Sequence, residues 1–238
     1  MMPRGVSVTL VEPRGPVNVG HVARLVRNFS VEKFYLVDPK VDISVAATYA
    51  SHAAGVLDEA IVTTLDKVRE ENEFLVAATA VKAKKNSNVI RRAVGPERLN
   101  EFLSAARSSS LIFGRDTTGL TNAEISICDV TTTIETAPDY RTLNVGHAVA
   151  IVLYLASRSH EVRRKAQSRT AREVFARNLF DLGKESGAPR HKTDSLFEEG
   201  KRLAAVSGLT DRQLNLLSGI LGRGASEIRR LQNGDSNT

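Results

Sequence analysis

The chain has 238 residues, 42% of them hydrophobic, and a formal net charge of +6, which allows one medium domain with a buried core plus a smaller appendage. A single cysteine, Cys128, excludes an internal disulfide framework and a cysteine-rich zinc site, and five histidines (21, 52, 147, 160 and 191) without His-x-x-x-His spacing leave no metal constellation. With no apolar run of roughly 20 residues and no basic-then-apolar leader pattern, a membrane role is excluded and a reducing cytoplasm is the expected compartment.

In chain order, short apolar, β-branched runs at Val6–Val11, Phe34–Val37, Phe74–Ala78, Leu111–Phe113 and Val130–Ile134 predict strands, and most segments between them have helical periodicity. That alternation predicts βαβ units: an α/β body whose largely parallel sheet carries helices on both faces. After the first strand, Val19, Val22, Ala23, Val26 and Phe29 share one side of a helix over 18–29, and His21, Arg24, Arg27 and Asn28 share the other. Pro16 precedes this helix, and Asn18 is its expected N-cap. The nearly apolar stretch from Val145 to Ala156, which includes His147, predicts a buried helix.

Charge is unevenly placed. Residues 1–157 hold 17 Lys and Arg against 17 Asp and Glu, whereas residues 158–238 hold 16 against 10, so the whole excess lies in the C-terminal third. A basic stretch over 158–172, with Arg158, Arg163, Arg164, Lys165, Arg169 and Arg172 against Glu161, is the expected linker. Beyond it, residues 173–238 predict a small all-α domain. Its helices are expected near 172–184, 194–207 and 211–222, the last two opened by the capping-box spacings Ser195…Glu198 and Thr210…Gln213. A polyanionic partner gripped by this tail fits the charge; a merely solvated tail, or one that packs a dimer, is the alternative.

Three stretches, 12–27, 113–120 and 137–147, concentrate Gly and polar residues at strand ends, where open sheets bind ligands. No Gly-x-Gly-x-x-Gly follows the first strand and no Walker loop occurs, which removes nicotinamide and nucleoside-triphosphate chemistry. Singly, Gly114 and Gly119 read equally well as turn glycines and Asn144 as a helix cap. Together the stretches resemble the SPOUT methyltransferases, most closely the TrmJ branch. The matching text is Val11-Glu12-Pro13 with Asn18-Val19-Gly20-His21-Val22-Ala23-Arg24, then Leu111-Ile112-Phe113-Gly114-Arg115-Asp116-Thr117-Thr118-Gly119-Leu120-Thr121-Asn122. It ends with Ile134 and Pro138-Asp139-Tyr140-Arg141-Thr142-Leu143-Asn144. In the tail, residues 211–221 resemble the end of that branch's helical RNA-binding domain. One departure is Asp116, where the family usually carries Glu, a change that keeps the charge and shortens the reach.

The resemblance implies a SPOUT fold with a deep trefoil knot over roughly 74–156, in which S-adenosylmethionine binds among knot loops without any metal. It assigns the cofactor to Thr79, Ala80, Val81, Gly114, Ile134, Thr142, Leu143 and Asn144, with Ile134 and Leu143 flanking the adenine. It also implies catalytic positions at Arg24, Thr142 and Asn18. A guanidinium remains protonated under ordinary conditions, so Arg24 is expected to orient ribose and phosphate and stabilise charge rather than act as a base. An exposed helix arginine is the plainer reading. Thr142 would bond the acceptor ribose or hold Asn144, and Asn18 would fix the Arg24 loop. Arg14, His21, Arg27, Lys82, Lys84, Lys85 and Arg115 are candidate RNA phosphate contacts. Aromatic content of 5% and the absence of Trp argue against a broad base-stacking surface.

The expected activity is 2′-O-methylation of tRNA at nucleotide 32 of the anticodon loop, on cytidine or uridine, by a homodimer whose sites borrow partner residues. Methylation of ribosomal RNA, or RNA binding without turnover, remains open at this point.

Overall fold

The computed structural model describes residues 2–80, 93–158 and 167–234. The chain divides into two compact units, the first comprising 1–84 and 90–164 and the second built chiefly from 165–238. Lys82, Lys84, Lys85 and Val81 lie outside the described residues, as do Arg163, Arg164 and Lys165. The proposed knot span also includes undescribed positions.

The first unit is built on seven strands, all parallel, in the order β3-β2-β1-β6-β4-β7-β5. They are β1 (Val6–Val11), β2 (Lys33–Val37), β3 (Ile61–Thr63), β4 (Phe74–Ala78), β5 (Ala93–Val94), β6 (Ser109–Phe113) and β7 (Val130–Thr132). β1 and β4 run over the expected residues, and β7 ends two residues early. β3 and β5 were not anticipated. The helices are α1 (Pro16–Asn28), α2 (Ile43–Tyr49), α3 (Ala54–Asp58), α4 (Leu65–Glu71), α5 (Leu99–Leu103), α6 (Asn122–Ser126) and α7 (Val145–Arg158). A central strand is covered on both faces, and β1 shows this, with all six residues buried, Ser7 and Thr9 among them. On one face Val11, Tyr35, Val37, Leu75, Ala77 and Ile112 cluster with Val68 of α4 and Ile125 of α6. Val8, Leu10, Leu111 and Phe113 point to the other face and are equally buried. There Phe113 shares a cavity with Ala148 and Val152 of α7.

Several hydroxyls inside the sheet find partners within it. Thr9 and Ser110 hydroxyls meet at 2.7 Å, and the Ser7 hydroxyl donates to the Ser109 carbonyl at 3.0 Å. Such pairing is what makes buried hydroxyls tolerable. At the far end of α7, Asn100 of α5 donates Nδ2 to the Ala156 carbonyl at 2.6 Å, satisfying a terminal carbonyl that the helix leaves open.

The second unit holds α8 (Arg169–Glu185), α9 (Arg190–Thr193), α10 (Leu196–Ser207) and α11 (Asp211–Gly234). Its core joins Ala171, Phe175, Ala204 and Leu214, flanked by Leu179, Leu209 and Leu221. The helices reach into the stretch read as linker, since Arg158 ends α7 and Arg169 opens α8 behind its N-cap Ser168. Arg172 is 1% exposed and donates to the Gln167 carbonyl, so it serves the unit's interior rather than an outer basic surface. The capping box at Thr210 and Gln213 forms. Ser195 does not cap: its hydroxyl turns back to the Lys192 carbonyl at 3.1 Å. α11 continues twelve residues past the expected stop at Gly222, because Gly222 and Gly224 are contact points on α8, facing Asn178 and Leu182. The helix is held there by Asn178 bonding the Ser218 carbonyl and by the Arg229–Glu185 ion pair at 2.8 Å. No described helix in either unit is long and apolar enough to cross a membrane.

Candidate functional site

Register brings the ends of β1, β6, β4 and β7 to one edge of the sheet, since Leu10 pairs with Phe113 and Ala78 with Thr132. The carboxyl ends of parallel strands are where such sheets bind ligands. The loops after β4, β6 and β7 enclose a cavity of about 190 Å³ there, closed by Val145, Ala148 and Val152 of α7. Six residues read as cofactor-binding line it together: Thr79, Ala80, Gly114, Ile134, Thr142 and Leu143. Val81 is not described. Asn144 stands outside the wall as the N-cap of α7, its Oδ1 accepting from the amides of Gly146 (2.9 Å) and His147 (3.4 Å). Phe113, Leu120, Thr132 and Arg141 also line the cavity; none is among the residues the resemblance assigns to the cofactor, although Phe113, Leu120 and Arg141 lie inside the motifs and Thr132 ends β7.

Gly114 is required by the loop itself. A Cβ there would lie 2.2 Å from the carbonyl carbon of Gly119 and 2.3 Å from the Leu120 amide nitrogen. Arg115 and Gly119 exchange backbone hydrogen bonds at 3.0 and 3.3 Å, and Gly119 adopts φ +67°, a conformation glycine reaches without steric cost. The close backbone approach expected at Gly114 is thus made with the far side of its own loop.

Arg115, expected at an RNA phosphate, is instead given over to carboxylates. Its guanidinium forks onto Glu124 at 2.9 and 3.0 Å and also bonds Glu12, so its strong donors are spent inside the protein. Glu124 is fixed in turn by a capping box with Thr121 at the start of α6. The Arg115 hydrogen bond holds the Glu12 carboxyl below its ordinary value. At Glu124 burial pushes upward, but the Arg115 and Thr121 hydrogen bonds outweigh it and the net shift is downward. The carboxylate hydrogen bonds push the Arg115 guanidinium, first that of Glu124, further up from an already high value. The result is a clamp between the end of β1 and the cavity loop.

Asn18 does not cap α1. Pro16 occupies the first turn and Gly15 the cap position, an arrangement proline's missing N–H favours. The freed Asn18 side chain joins all three motifs: its Nδ2 donates to Asp116 at 2.7 Å, and its Oδ1 accepts from Asn144 Nδ2 at 2.8 Å. Asp116, despite its shorter side chain, reaches this partner. The same helix α1 carries Arg24 and His21, both exposed. Arg24 makes no hydrogen bond or ion pair with a described residue and is not part of the cavity wall. Arg14 is likewise exposed, whereas Arg27 donates to the His52 carbonyl.

Residues 5–154 match the model of the SpoU rRNA Methylase family. The tRNA (cytidine-2′-O-)-methyltransferase TrmJ of Sulfolobus acidocaldarius is 35% identical over 151 residues, 63% of this chain and 63% of that protein. This chain thus spans somewhat less than two thirds of that relative's length. The enzyme of the same name from Methanocaldococcus jannaschii is 30% identical over 216 residues, covering 85% of this chain and 94% of its own. The crystal structure of TrmJ from Z. mobilis superposes with a TM-score of 0.64 at 21% identity, over 94% of this chain and 99% of that one, which is a likeness of fold.

Proposed function

Because the chain belongs to the SpoU methylase family, we propose that it is a tRNA 2′-O-methyltransferase that uses S-adenosylmethionine to methylate the ribose of nucleotide 32 in the anticodon loop. The single observation that carries this reading is the meeting of the three motifs. The loops of the second and third motifs build one cavity at the sheet's carboxyl edge with the loop after β4, and Asn18 of the first motif ties that cavity's loop to the helix bearing Arg24. The names of the relatives, which act on tRNA 2′-hydroxyls, favour tRNA over other acceptors.

The residues present suit the donor. Ile134 and Leu143 supply aliphatic walls for an adenine, Thr79, Ala80 and Gly114 are small, and the loop backbone between them offers amides and carbonyls to its polar edge. When bound there, S-adenosylmethionine supplies an electrophilic methyl group on a sulfonium. The chain's own task is to hold the acceptor hydroxyl in line and ease its loss of a proton. Arg24, permanently charged and without a partner among the described residues, positions the ribose through its phosphate and favours the more anionic oxygen. Thr142, exposed on the cavity wall, is placed to bond the acceptor ribose. Asn18 acts on Arg24 and Asp116 by position.

This reading includes a trefoil knot across roughly 74–156, a homodimer whose partner completes the acceptor side, a tail that helps to bind RNA, and a cytoplasmic location. The family model's own description favours ribosomal RNA as the second reading. The test is transfer of labelled methyl to unmodified tRNA transcripts with the modified nucleotide mapped, alongside Arg24→Ala. A 2′-O-methyl at nucleotide 32 that is lost in Arg24→Ala, with donor affinity retained, supports the assignment. Donor binding without transfer to any tRNA overturns it and turns the search to ribosomal RNA.

A further inference from the structure

Among the described residues Tyr140 is the most exposed large apolar or aromatic side chain, at 76%. Rings of this size ordinarily find cover, so an open one merits a physical account. Its turn is not a loose tip. The Tyr140 amide donates to the Ala137 carbonyl at 3.2 Å, Arg141 Nε donates to the Pro138 carbonyl at 3.1 Å, and the Thr136 hydroxyl donates to the Arg141 carbonyl at 3.3 Å. The ring therefore stands on a tied turn, and the next three residues, Arg141, Thr142 and Leu143, all line the cavity. Tyr140 itself is not part of the cavity wall.

We infer that Tyr140 is a stacking platform for one unpaired nucleobase of the acceptor RNA, the base adjoining the ribose that is methylated. The inference rests on the methyltransferase reading and adds a specificity residue to it. Loop nucleotides of RNA expose base faces that aromatic rings cover. A ring already oriented by its turn loses little freedom when it does so. Arg141 beside it brings a guanidinium to the same mouth, where a phosphate of the stacked nucleotide would lie. Because the ring stands clear of the cavity, it is placed for the acceptor and not for the methyl donor. One ring rather than a sheet of them accords with an aromatic content of 5%.

The chain contains no Trp, so Tyr140→Trp installs a sole tryptophan reporter in the full-length protein. Titration with an unmodified anticodon stem-loop should quench its emission, and S-adenosylhomocysteine alone should not. In methyl-transfer assays Tyr140→Leu should raise KM for RNA about tenfold, the effect of one lost base stack. Its kcat and S-adenosylhomocysteine affinity should stay near wild type, and Tyr140→Phe should behave as wild type throughout. Quenching by S-adenosylhomocysteine alone, or a donor affinity that falls in Tyr140→Leu, would show that the ring covers the donor and overturns the inference. Unchanged RNA KM in Tyr140→Leu, with wild-type transfer intact, overturns it while leaving the enzyme assignment standing. Failure of the wild-type protein to bind or methylate RNA removes both.

Discussion

Gly114→Ala tests the architecture of the cavity. The added Cβ would sit 2.2 Å from the Gly119 carbonyl carbon, 2.3 Å from the Leu120 nitrogen and 2.6 Å from the Gly119 oxygen. All three are backbone atoms, so no side chain can swing aside. Relief to an ordinary contact of 3.4 Å requires the two strands of the loop to part by about 1 Å. Parting them strains the Arg115–Gly119 bridge and shifts Leu120 out of the core cluster. Overpacking of this kind costs about 1–3 kcal/mol, or roughly 2–10 °C in Tm. The same loop supplies seven consecutive cavity-lining residues, 114–120, and losing one or two of its contacts weakens donor binding about tenfold or more. Thermal unfolding and calorimetric titration with S-adenosylhomocysteine measure both effects. A variant with wild-type Tm and wild-type affinity would refute the claim that Gly114 serves its own loop's closure.

Asn18→Ala removes the link between Asp116 and Asn144; kcat should fall about a hundredfold through loss of alignment, with S-adenosylhomocysteine affinity little changed, and equal losses in both would place Asn18 in the donor site. Arg115→Met bears on pH. Glu12 and Glu124 are held below the ordinary glutamate value of 4.5, so their stabilisation is present above that pH and lost as the pH falls through the lowered values. The variant should flatten the acid limb of a Tm-versus-pH curve, and a parallel curve of unchanged shape would count against the clamp. Gly20→Ala puts a Cβ 2.6 Å from the Ala46 carbonyl oxygen and 2.7 Å from Tyr49 Cβ. It should destabilise the first unit by about 1–3 kcal/mol in urea unfolding, and an unshifted midpoint would show that α1 and α2 are free to move apart.

The central strands were legible because parallel strands buried on both faces leave largely apolar, β-branched runs, continuous at Phe74–Ala78 and broken only by Ser7 and Thr9 at Val6–Val11. β3 and β5, with three and two residues, are too short to show such a pattern. Six cavity residues were readable from the resemblance: Gly114, Ile134, Thr142 and Leu143 lie inside the motifs, and Thr79 and Ala80 directly follow β4. The bonds that fasten those loops were not. Asn18 to Asp116 spans 98 positions and Glu12 to Arg115 spans 103, separations at which no local signal operates. Asn18 was misread for a good local reason, since an asparagine before an apolar periodic run commonly caps a helix. Likewise Gly222 carries a stop signal in sequence, and the contacts of α11 with α8 at Asn178, Leu182 and Glu185 explain why the helix runs through it.

The strand order carries a consequence for how the chain reaches its native state. β6 lies between β1 and β4, and β7 between β4 and β5, so each is inserted beside partners made much earlier. While the polypeptide emerges from a ribosome, β1, β2 and β3 can pair as soon as they are available, but β4 has no neighbour until Ser109–Phe113 has been synthesised. The β4-β7-β5 side of the sheet is therefore its last part to close, and non-local closure of that kind is slow. Phe74–Ala78, apolar and unpaired in the interval, is the segment through which a nascent chain would aggregate, and slower synthesis would lengthen its exposure.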